Sequence, residues 1–433
     1  MPVEITGMGS ELQGVGKLPD GRTAFIPGAI MSEVVDVRIV RDKGRYCEAE
    51  LVGVITPSPC RITPACPYAG VCGGCAAAHM TYEASLEAKQ LKVVQALERI
   101  GGFHGVAVAD TIGMENPFRY RNKAEYAISG GKIGLRPASS RAIVEIDDCL
   151  IQQSPSIEAM RIVRKWLKRR AMPVEGWLVT RTGNRGELMC VLSCDQRPGG
   201  IDELAGELFA GINSMRSFYT MQLRPRPNSA LDGICMHVAG DKNLEMSLGG
   251  LKFIVGPMSF FQVNIEQAQK LYALAVEFAG VQGGNAIDAY CGVGSITLNL
   301  ARTARMTIGV ERVPEAIDDA KENARINGLS DAVRFIAADA VSEIPRLLRR
   351  GFKPDAIVVD PPRKGIDKPL ADAILKSDAR RVVYVSCDPA TMARDASRLV
   401  ENGEYEIRNV VPVDMFANTS HVETVVLMSK VDR

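Results

Sequence analysis

The segment Asp288-Ala-Tyr-Cys-Gly-Val-Gly294 has the pattern of a strand end, a glycine turn and the start of a helix. Glycines in such a turn let the backbone approach a ligand closely, where a side chain would collide with it. The spacing differs from the G-x-G-x-x-G of dinucleotide enzymes, and two glycines alone are a weak signal. A plain strand-to-helix turn therefore remains open as an interpretation.

Around this segment, from about residue 257 onward, short apolar stretches alternate with helical patterns. This alternation predicts an α/β fold with a parallel sheet, helices on both faces and an antiparallel edge made by the last two strands. Ligands of such sheets bind beyond the carboxyl ends of the strands. The strands are predicted at 286–289, 307–311, 333–337, 356–359, 381–385, 406–413 and 422–429.

Acidic residues follow three of these strands. Glu311 is placed to accept hydrogen bonds from ribose hydroxyls, and Asp339 from an adenine amino group, with Asp360 ending the next strand. Three carboxylates suit a cationic ligand such as S-adenosylmethionine better than a phosphate. For Asp339, a helix N-cap is an equally good interpretation.

Cys387 stands where the strand in Arg381-Val-Val-Tyr-Val-Ser-Cys-Asp-Pro-Ala390 meets a helix, with Asp388 as cap and Pro389 in the first turn. The helix N-terminus predicts a lowered thiol pKa, although a buried structural cysteine is the alternative. A thiolate can add to carbon 6 of uracil, which makes carbon 5 nucleophilic towards a methyl donor. Glu423 is the preferred base for the carbon 5 proton, and His421 is the alternative.

Residues 1–56 contain short alternating strands that predict a small OB-like β-barrel, a fold that often binds nucleic acid but also packs passively on neighbouring domains. Residues 57–256 are predicted to form a mainly β central domain, and 257–433 the α/β domain. The central domain includes predicted helices at 82–100 and, rich in basic residues, at 155–170.

Composition agrees with a globular protein of two or three domains: of 433 residues, 46% are apolar and the net charge is +1. A surface for nucleic acid must therefore be a local patch. The absence of a leader pattern and of a membrane-length apolar run predicts a cytoplasmic protein. In such a protein, eleven cysteines indicate catalysis or metal binding before disulfides.

Five motifs, in this order, make the chain resemble the RNA uracil-C5 methyltransferases, particularly the branch that acts on bacterial 23S ribosomal RNA. The resemblance implies a class I, Rossmann-like S-adenosylmethionine-dependent methyltransferase domain that forms 5-methyluridine. It also implies that residues 1–56 are a TRAM domain, which the transfer-RNA methylating relatives generally lack. The motifs are Phe260-Phe-Gln-Val-Asn264, Asp288 to Gly294, Asp360-Pro-Pro-Arg-Lys-Gly365, Ser386-Cys-Asp-Pro389 and His421-Val-Glu423.

The same resemblance assigns roles to individual residues. Cys387 is implied as the nucleophile and Glu423 as the base, while Ser295 stands where many members have asparagine. The implied contacts to the methyl donor are Gln262, Tyr290, Glu311, Asp339 and Asp360.

A cysteine cluster begins at Cys66, whose spacing to Cys72 and Cys75 is C-x5-C-x2-C. The family resemblance implies Cys149 as a distant fourth ligand and a [4Fe-4S] cluster as the occupant. From the residues alone, four thiolates suit zinc equally well, and a chance group of reduced cysteines is a further alternative.

The expected partner is RNA, with the target uridine flipped out of a loop so that Cys387 can reach it. The segment Phe118 to Tyr126 interleaves aromatic and basic residues, which predicts either a base-stacking surface or an ordinary strand with one solvated face. Three alternative functions stay open: a transfer-RNA uracil methyltransferase, an amino-group methyltransferase suggested by Asp360-Pro-Pro, and a non-catalytic RNA-binding assembly factor.

Overall fold

A computed structural model describes residues 1–137, 140–170 and 174–431. Its N-terminal part is a closed five-stranded barrel in the order β1-β2-β3-β5-β4, which confirms the predicted fold. Alternate residues such as Ile5, Ile26 and Val35 point inward and fill the barrel. At Gly16 a side chain would collide with the backbone of the neighbouring strand β1. The strands are β1 Pro2–Met8, β2 Gly14–Lys17, β3 Thr23–Ile26, β4 Val34–Asp42 and β5 Tyr46–Thr56.

A buried ion pair fastens the barrel to the cysteine-rich segment that follows it. The Glu33 side chain is fully buried and binds Arg61, whose Nη2 lies 2.7 Å from Oε2. The same arginine donates to the Gly28 carbonyl at 2.6 Å, and Glu33 also accepts from the Ser58 amide at 3.2 Å. The barrel is therefore held in one position relative to residues 57–62.

The central part is built on a six-stranded sheet in the order β11-β10-β9-β8-β6-β7. Two helices, α2 and α3, cover one face, and the other face shares its core with the C-terminal part of the chain. A separate hairpin, β12-β13, is bonded to Asn323 and Asn327 of that C-terminal part. The elements are α1 Tyr82–Arg99, β6 Lys123–Ser129, β7 Lys132–Gly134, α2 Ser154–Arg170, β8 Gly176–Thr182, β9 Leu188–Cys194, α3 Ile201–Gly211, β10 Met215–Leu223, β11 Gly233–Gly240, β12 Leu244–Leu248 and β13 Leu251–Val255.

The C-terminal part is the predicted α/β unit, with a seven-stranded sheet in the order β16-β15-β14-β17-β18-β20-β19. The strands from β16 to β18 are parallel, and β20 is antiparallel to both of its neighbours. The elements are α4 Ile265–Ala279, β14 Asn285–Ala289, α5 Ser295–Ala301, β15 Met306–Glu311, α6 Pro314–Ile326, a short 3-10 helix Ser330–Ala332, β16 Val333–Ala337, α7 Ala340–Arg349, β17 Ala356–Val359, α8 Lys368–Leu375, β18 Arg381–Ser386, α9 Pro389–Val400, β19 Tyr405–Val413 and β20 Glu423–Lys430.

Helices cover both faces of this sheet, as the strand pattern predicts. On one face α4, α5 and α6 pack on the strands, and on the other α7, α8 and α9 do so. The second face also receives α1, whose buried residues Val93, Ala96 and Leu97 belong to the same apolar cluster. A helix from the predicted central domain is thus part of the C-terminal core, and the boundary at residue 256 remains a prediction.

Across the described ranges, no helix is both long enough and apolar enough to cross a membrane.

Candidate active site

One large cleft joins the barrel, the cysteine-rich segment, the central sheet and the C-terminal sheet. Its volume is about 3080 Å³, far above the few hundred to about a thousand Å³ typical of small-molecule sites. Every predicted site residue except Ser295 lines it: Cys66, Cys72, Cys75, Cys149, Gln262, Tyr290, Glu311, Asp339, Asp360, Cys387 and Glu423.

Strand pairing brings Cys387 and Glu423 together. Ser386 at the end of β18 pairs with Thr424 near the start of β20. Cys387, which follows Ser386, therefore lies opposite Glu423, which precedes Thr424. Because β20 runs antiparallel to β18, its first residue lies at the carboxyl end of the parallel strands. The predicted thiol and carboxylate are thus neighbours at the ligand-binding edge of the sheet.

Cys387 is partly exposed to the cleft, and the helix after it is capped as predicted. Asp388 accepts hydrogen bonds from the backbone amides of Ala390 at 2.9 Å and Thr391 at 3.1 Å. The prediction of a lowered thiol pKa, however, is wrong for the protein without bound ligand. Burial raises the pKa of Cys387 to about 11, and the nearby carboxyls of Glu423 and Asp360 add to the rise.

Glu423 is buried, with 6% of its surface exposed. Burial raises its pKa to about 8, Asp360 adds to this, and Arg363 opposes it. A carboxyl with such a pKa can hold or release a proton near neutral pH. Arg363 also lowers the pKa of Cys387, so this exposed cation favours the charged form of both groups.

His421, the alternative base, lies two residues before Glu423 and packs edge-on against Phe416, with ring centroids 5.9 Å apart. Burial lowers the pKa of His421, and the cations Arg363 and Lys92 lower it further. A neutral imidazole at the cleft wall can orient a substrate through hydrogen bonds.

A carboxylate-lined pocket of about 50 Å³ adjoins the cleft. Ser295, the predicted site residue that does not line the cleft, lines this pocket together with Gln262, Tyr290 and Asp360. At its base Asp288 is fully buried. Its Oδ2 accepts from the Thr297 hydroxyl at 2.6 Å, whereas Oδ1 has no hydrogen-bond partner among the described residues. The sequence pattern marks Asp288 as the start of the glycine-turn motif and does not identify it as a site residue.

Both pocket aspartates share one property: burial raises the pKa of Asp288 and that of Asp360 to about 7. A cation in the pocket would favour their charged forms. Gly292 has a positive φ of 53°, and a side chain there would meet only open space, as expected where a ligand lies against the turn. Tyr290 also has a positive φ, at 67°. The residues present therefore fit S-adenosylmethionine.

Two further acidic residues line the cleft near this pocket. Glu311 accepts from the Gly292 amide at 3.4 Å and from the Val313 amide at 2.9 Å. Asp339 caps α7 by accepting from the Val341 amide at 2.9 Å, so the N-cap interpretation is confirmed. The cap uses Oδ1, and Asp339 still faces the cleft.

The four predicted ligand cysteines converge at the cleft wall, all partly buried. Burial raises the pKa of Cys75 to about 12, and Cys149, Cys72 and Cys66 add to it. Within the described ranges, however, no group of three or more His, Cys, Asp or Glu side chains is arranged to hold a metal ion. The thiols are near neighbours without forming a closed tetrahedral zinc site, in which sulfur atoms lie about 2.3 Å from one ion.

Only part of the Phe118 to Tyr126 segment faces the cleft. Tyr120 and Tyr126 are buried, with the Tyr120 hydroxyl bonded to the Ala417 carbonyl at 3.0 Å. Phe118, Arg121 and Lys123 line the cleft. Of the two interpretations, base stacking does not hold for Tyr120 and Tyr126, because their rings are buried in the protein interior.

The basic side of helix α2 faces solvent, whereas its apolar side is buried. Arg164 contacts Asp147 at 3.1 Å, and Arg169 and Arg170 pair with Glu207 and Glu203 of α3. Its charges are largely neutralised within the central domain.

Comparisons with known proteins agree with this site. Residues 244–431 match the tRNA (Uracil-5-)-methyltransferase family, and residues 1–52 match the TRAM domain. The chain is 39% identical over 441 residues to an uncharacterized RNA methyltransferase of Clostridium tetani, covering 98% of this chain and 95% of the relative. A similar relative from Halalkalibacterium halodurans is 39% identical over 446 residues, covering 98% and 96%.

Among solved structures, Pyrococcus abyssi tRNA (uracil-54, C5)-methyltransferase in complex with S-adenosyl-L-homocysteine superposes with a TM-score of 0.78. Its sequence is 25% identical, and the superposition covers 99% of this chain and 100% of that chain. The chain therefore belongs to the uracil-C5 RNA methyltransferase family, with a TRAM domain ahead of its methyltransferase domain.

Proposed function

We propose that this RNA methyltransferase forms 5-methyluridine in 23S ribosomal RNA through a covalent bond between Cys387 and uracil. The observation that carries the proposal is the β18–β20 register, which sets Cys387 opposite Glu423 beside a carboxylate-lined pocket. A thiol, a proton-accepting carboxyl and a site for a cationic donor are the three elements that carbon 5 methylation needs.

The reaction divides into addition, transfer and elimination. Cys387 Sγ, as thiolate, forms a bond to carbon 6, and the electrons of the 5,6 double bond move towards the carbonyl at carbon 4. When bound, S-adenosylmethionine supplies the electrophilic methyl group and leaves as neutral S-adenosylhomocysteine. Carbon 5 bonds to the methyl group, Glu423 removes the proton from carbon 5, and the bond from carbon 6 to sulfur then breaks.

The protein's own charges support this order of events. Arg363 is the nearby cation that opposes the raised pKa of both Cys387 and Glu423, so it favours thiolate and carboxylate. The donor site is supplied by Gln262, Tyr290, Ser295, Glu311, Asp339 and Asp360. Their cleft and pocket positions support these assignments.

Ribosomal RNA is the proposed substrate because the five sequence motifs resemble the branch that acts on 23S ribosomal RNA, and the closed barrel at one wall of the cleft offers a surface for RNA. Phe25 and Tyr46 of the barrel stack edge to face, with centroids 5.6 Å apart, and both line the cleft. Aromatic rings on such barrels stack with unpaired bases. The second candidate is transfer RNA, favoured by the superposed Pyrococcus abyssi protein, whose name gives transfer RNA as its substrate.

The deciding experiment is to map 5-methyluridine in ribosomal and transfer RNA from cells with the gene and from cells that lack it. We expect a site to disappear from 23S ribosomal RNA. Loss confined to transfer RNA would replace the substrate assignment with the second candidate.

Trapping tests the mechanism separately. RNA that carries 5-fluorouridine should form a denaturation-resistant complex with the wild-type protein, because fluorine cannot be removed as a proton. The Cys387→Ala variant should form none. Equal trapping by that variant would show that another group is the nucleophile, whatever the RNA substrate.

We also propose that Cys66, Cys72, Cys75 and Cys149 hold a [4Fe-4S] cluster. A cluster binds each thiolate to a different iron, so the sulfurs need not close around one ion. It would supply rigidity between the cysteine-rich segment and the central sheet. Iron and acid-labile sulfide in protein purified without oxygen test this, and Cys149→Ser should reduce both, whereas Cys235→Ser should not. Zinc without sulfide would refute the cluster.

A further inference from the structure

The loop between β19 and β20, residues 414–422, carries His421 and leads directly into Glu423. Most of its backbone carbonyls are bound by groups from other parts of the chain. The donors to carbonyls 414, 415, 416, 417, 418 and 420 are, in order, the side chains of Gln267, Asn264, Lys89 and Tyr120, the Ala77 amide and the Lys92 side chain. The loop is therefore fixed from several elements at once.

At the base of this loop lies an ion pair that the proposed reaction does not use. Lys89 Nζ lies 2.5 Å from Asp414 Oδ1, and both side chains have no exposed surface. The other oxygen of Asp414 accepts from the Tyr82 hydroxyl at 2.8 Å, and Oδ1 also accepts from the Phe416 amide at 3.2 Å. Lys89 itself donates to the Phe416 carbonyl at 3.1 Å.

Both partners of Asp414, Lys89 and Tyr82, lie on α1, 325 or more positions away along the chain. Helix α1 precedes residues 244–431, the part that matches the methyltransferase family. One turn further along α1, Lys92 donates to the Ser420 carbonyl at 2.9 Å. Helix α1 thus contacts the loop at both ends.

Burying an ion pair is costly, and hydrophobic residues in its place often give equal or greater stability. Lysine and aspartate at this position therefore call for a reason beyond folding. The geometry supplies one: the pair fixes Phe416, against which the His421 ring packs, two residues before the reacting carboxyl.

We propose that Lys89 is a positioning residue whose buried pair with Asp414 fixes loop 414–422 and so sets His421 and Glu423 against Cys387. This inference rests on the proposed function for its kinetic consequence. Its geometric consequence, the distance between the Glu423 carboxyl and the Cys387 thiol, can be measured without RNA.

The first test is kinetic and uses Lys89→Met in the full chain. A displacement of about 1 Å in a reacting group can cost roughly 100-fold in rate, so we expect kcat to fall by roughly that factor while KM for RNA changes little. Because elimination depends on Glu423, the methylated covalent complex should accumulate with ordinary uridine RNA. Unchanged kcat per folded molecule would overturn the proposal.

A double variant, Lys89→Met with Asp414→Asn, keeps the test valid if the single variant does not fold. It removes both buried charges, while asparagine can still accept from the tyrosine hydroxyl. We expect it to fold and to bind S-adenosylmethionine, yet to retain the slow elimination. Wild-type turnover in the double variant would show that the pair does not position the base.

Arg346→Met is the matched control, since it breaks the pair with the buried Glu343 within α7, a helix that makes no hydrogen bond to loop 414–422 among the described residues. It should leave kcat and complex formation unchanged. If it slows elimination as much as Lys89→Met does, a general loss of stability explains both, and the proposal fails.

The second test is independent of RNA. Glu423 raises the pKa of Cys387, so moving the loop away should lower that pKa and speed alkylation of Cys387 in Lys89→Met. An unchanged alkylation profile would overturn the positioning role even if the protein proved inactive on every RNA. Failure of wild-type protein to trap 5-fluorouridine RNA would instead count against the proposed function.

Discussion

The reactivity of Cys387 should depend on the charge of the ligand beside it. The protein's own groups raise the pKa of this thiol to about 11, through burial and the carboxyls of Glu423 and Asp360. At pH 8 the thiolate would then be about one molecule in a thousand, since each pH unit below the pKa is a factor of about ten. We expect alkylation of Cys387 to be slow at pH 8 and to rise about tenfold for each pH unit.

A cationic ligand should change this. A unit charge about 6 Å from the thiol, at an effective dielectric constant of about 20, contributes about 3 kcal/mol, or about 2 pKa units. Sinefungin carries an amine where the donor carries its sulfonium, so it should increase alkylation at pH 8 about 100-fold. S-adenosylhomocysteine lacks that charge and should increase it little.

The assay is alkylation of the Cys387 peptide, followed by mass spectrometry from pH 7 to pH 11. Cys235 is an internal control, because burial likewise raises its pKa to about 11 and it lies in the central sheet. Its profile should not respond to either ligand. Equal effects of the two ligands on Cys387 would refute the charge argument, and a pKa below 8.5 without ligand would refute the role of burial.

Three further substitutions should change ligand affinity or the free energy of unfolding. Because the pKa of Asp360 in the folded protein is about 7, above its ordinary value, its charged form is disfavoured until a cation binds. Calorimetry should therefore show S-adenosylmethionine affinity rising from pH 6 to 8, and Asp360→Asn should reduce that rise, leaving the part that Asp288 contributes. By the same linkage, the free energy of unfolding without ligand should fall as pH rises from about 4, the ordinary aspartate pKa, to about 7, and then level off. Glu33→Gln should lower the free energy of unfolding by about 3 kcal/mol in denaturant titrations, since it leaves Arg61 without its buried partner. Arg181 is buried, donates to the Ser259 carbonyl at 2.6 Å, and has no partner for Nη1 within the described part of the chain. Arg181→Met should therefore raise the free energy of unfolding by about 1 kcal/mol in the same titrations.

The α/β fold could be predicted because its strands are short, apolar and buried on both faces. Segments such as Ala356–Val359 and Arg381–Ser386 are nearly continuous aliphatic runs, followed by acidic or capping residues. The pairing of Cys387 with Glu423 followed from strand direction alone. These features depend on local sequence and on one rule of sheet topology.

The features that sequence could not supply depend on distant groups. The thiol pKa is raised mainly by burial and further by two carboxyls that lie close only in the folded chain, so a helix terminus in the sequence predicts the wrong sign. The segment that holds Tyr120 and Tyr126 predicts either a base-stacking surface or a strand with one solvated face, yet both rings are buried. Tyr120 packs at loop 414–422, and Tyr126 lies in the core beneath α2. No local pattern marks the pair Lys89–Asp414.

The order of strands in the C-terminal sheet bears on how the enzyme folds. Strand β20 follows β19 in the chain but lies between β18 and β19 in the sheet. Strand β19 consequently has no sheet partner until β20 has paired, so closing this edge and assembling the reacting pair are one folding event. Contacts between distant segments form slowly. During refolding, thiol protection at Cys387 should therefore appear together with the last sheet signal, and the enzyme should pass through no stage with a complete sheet and an unformed catalytic centre.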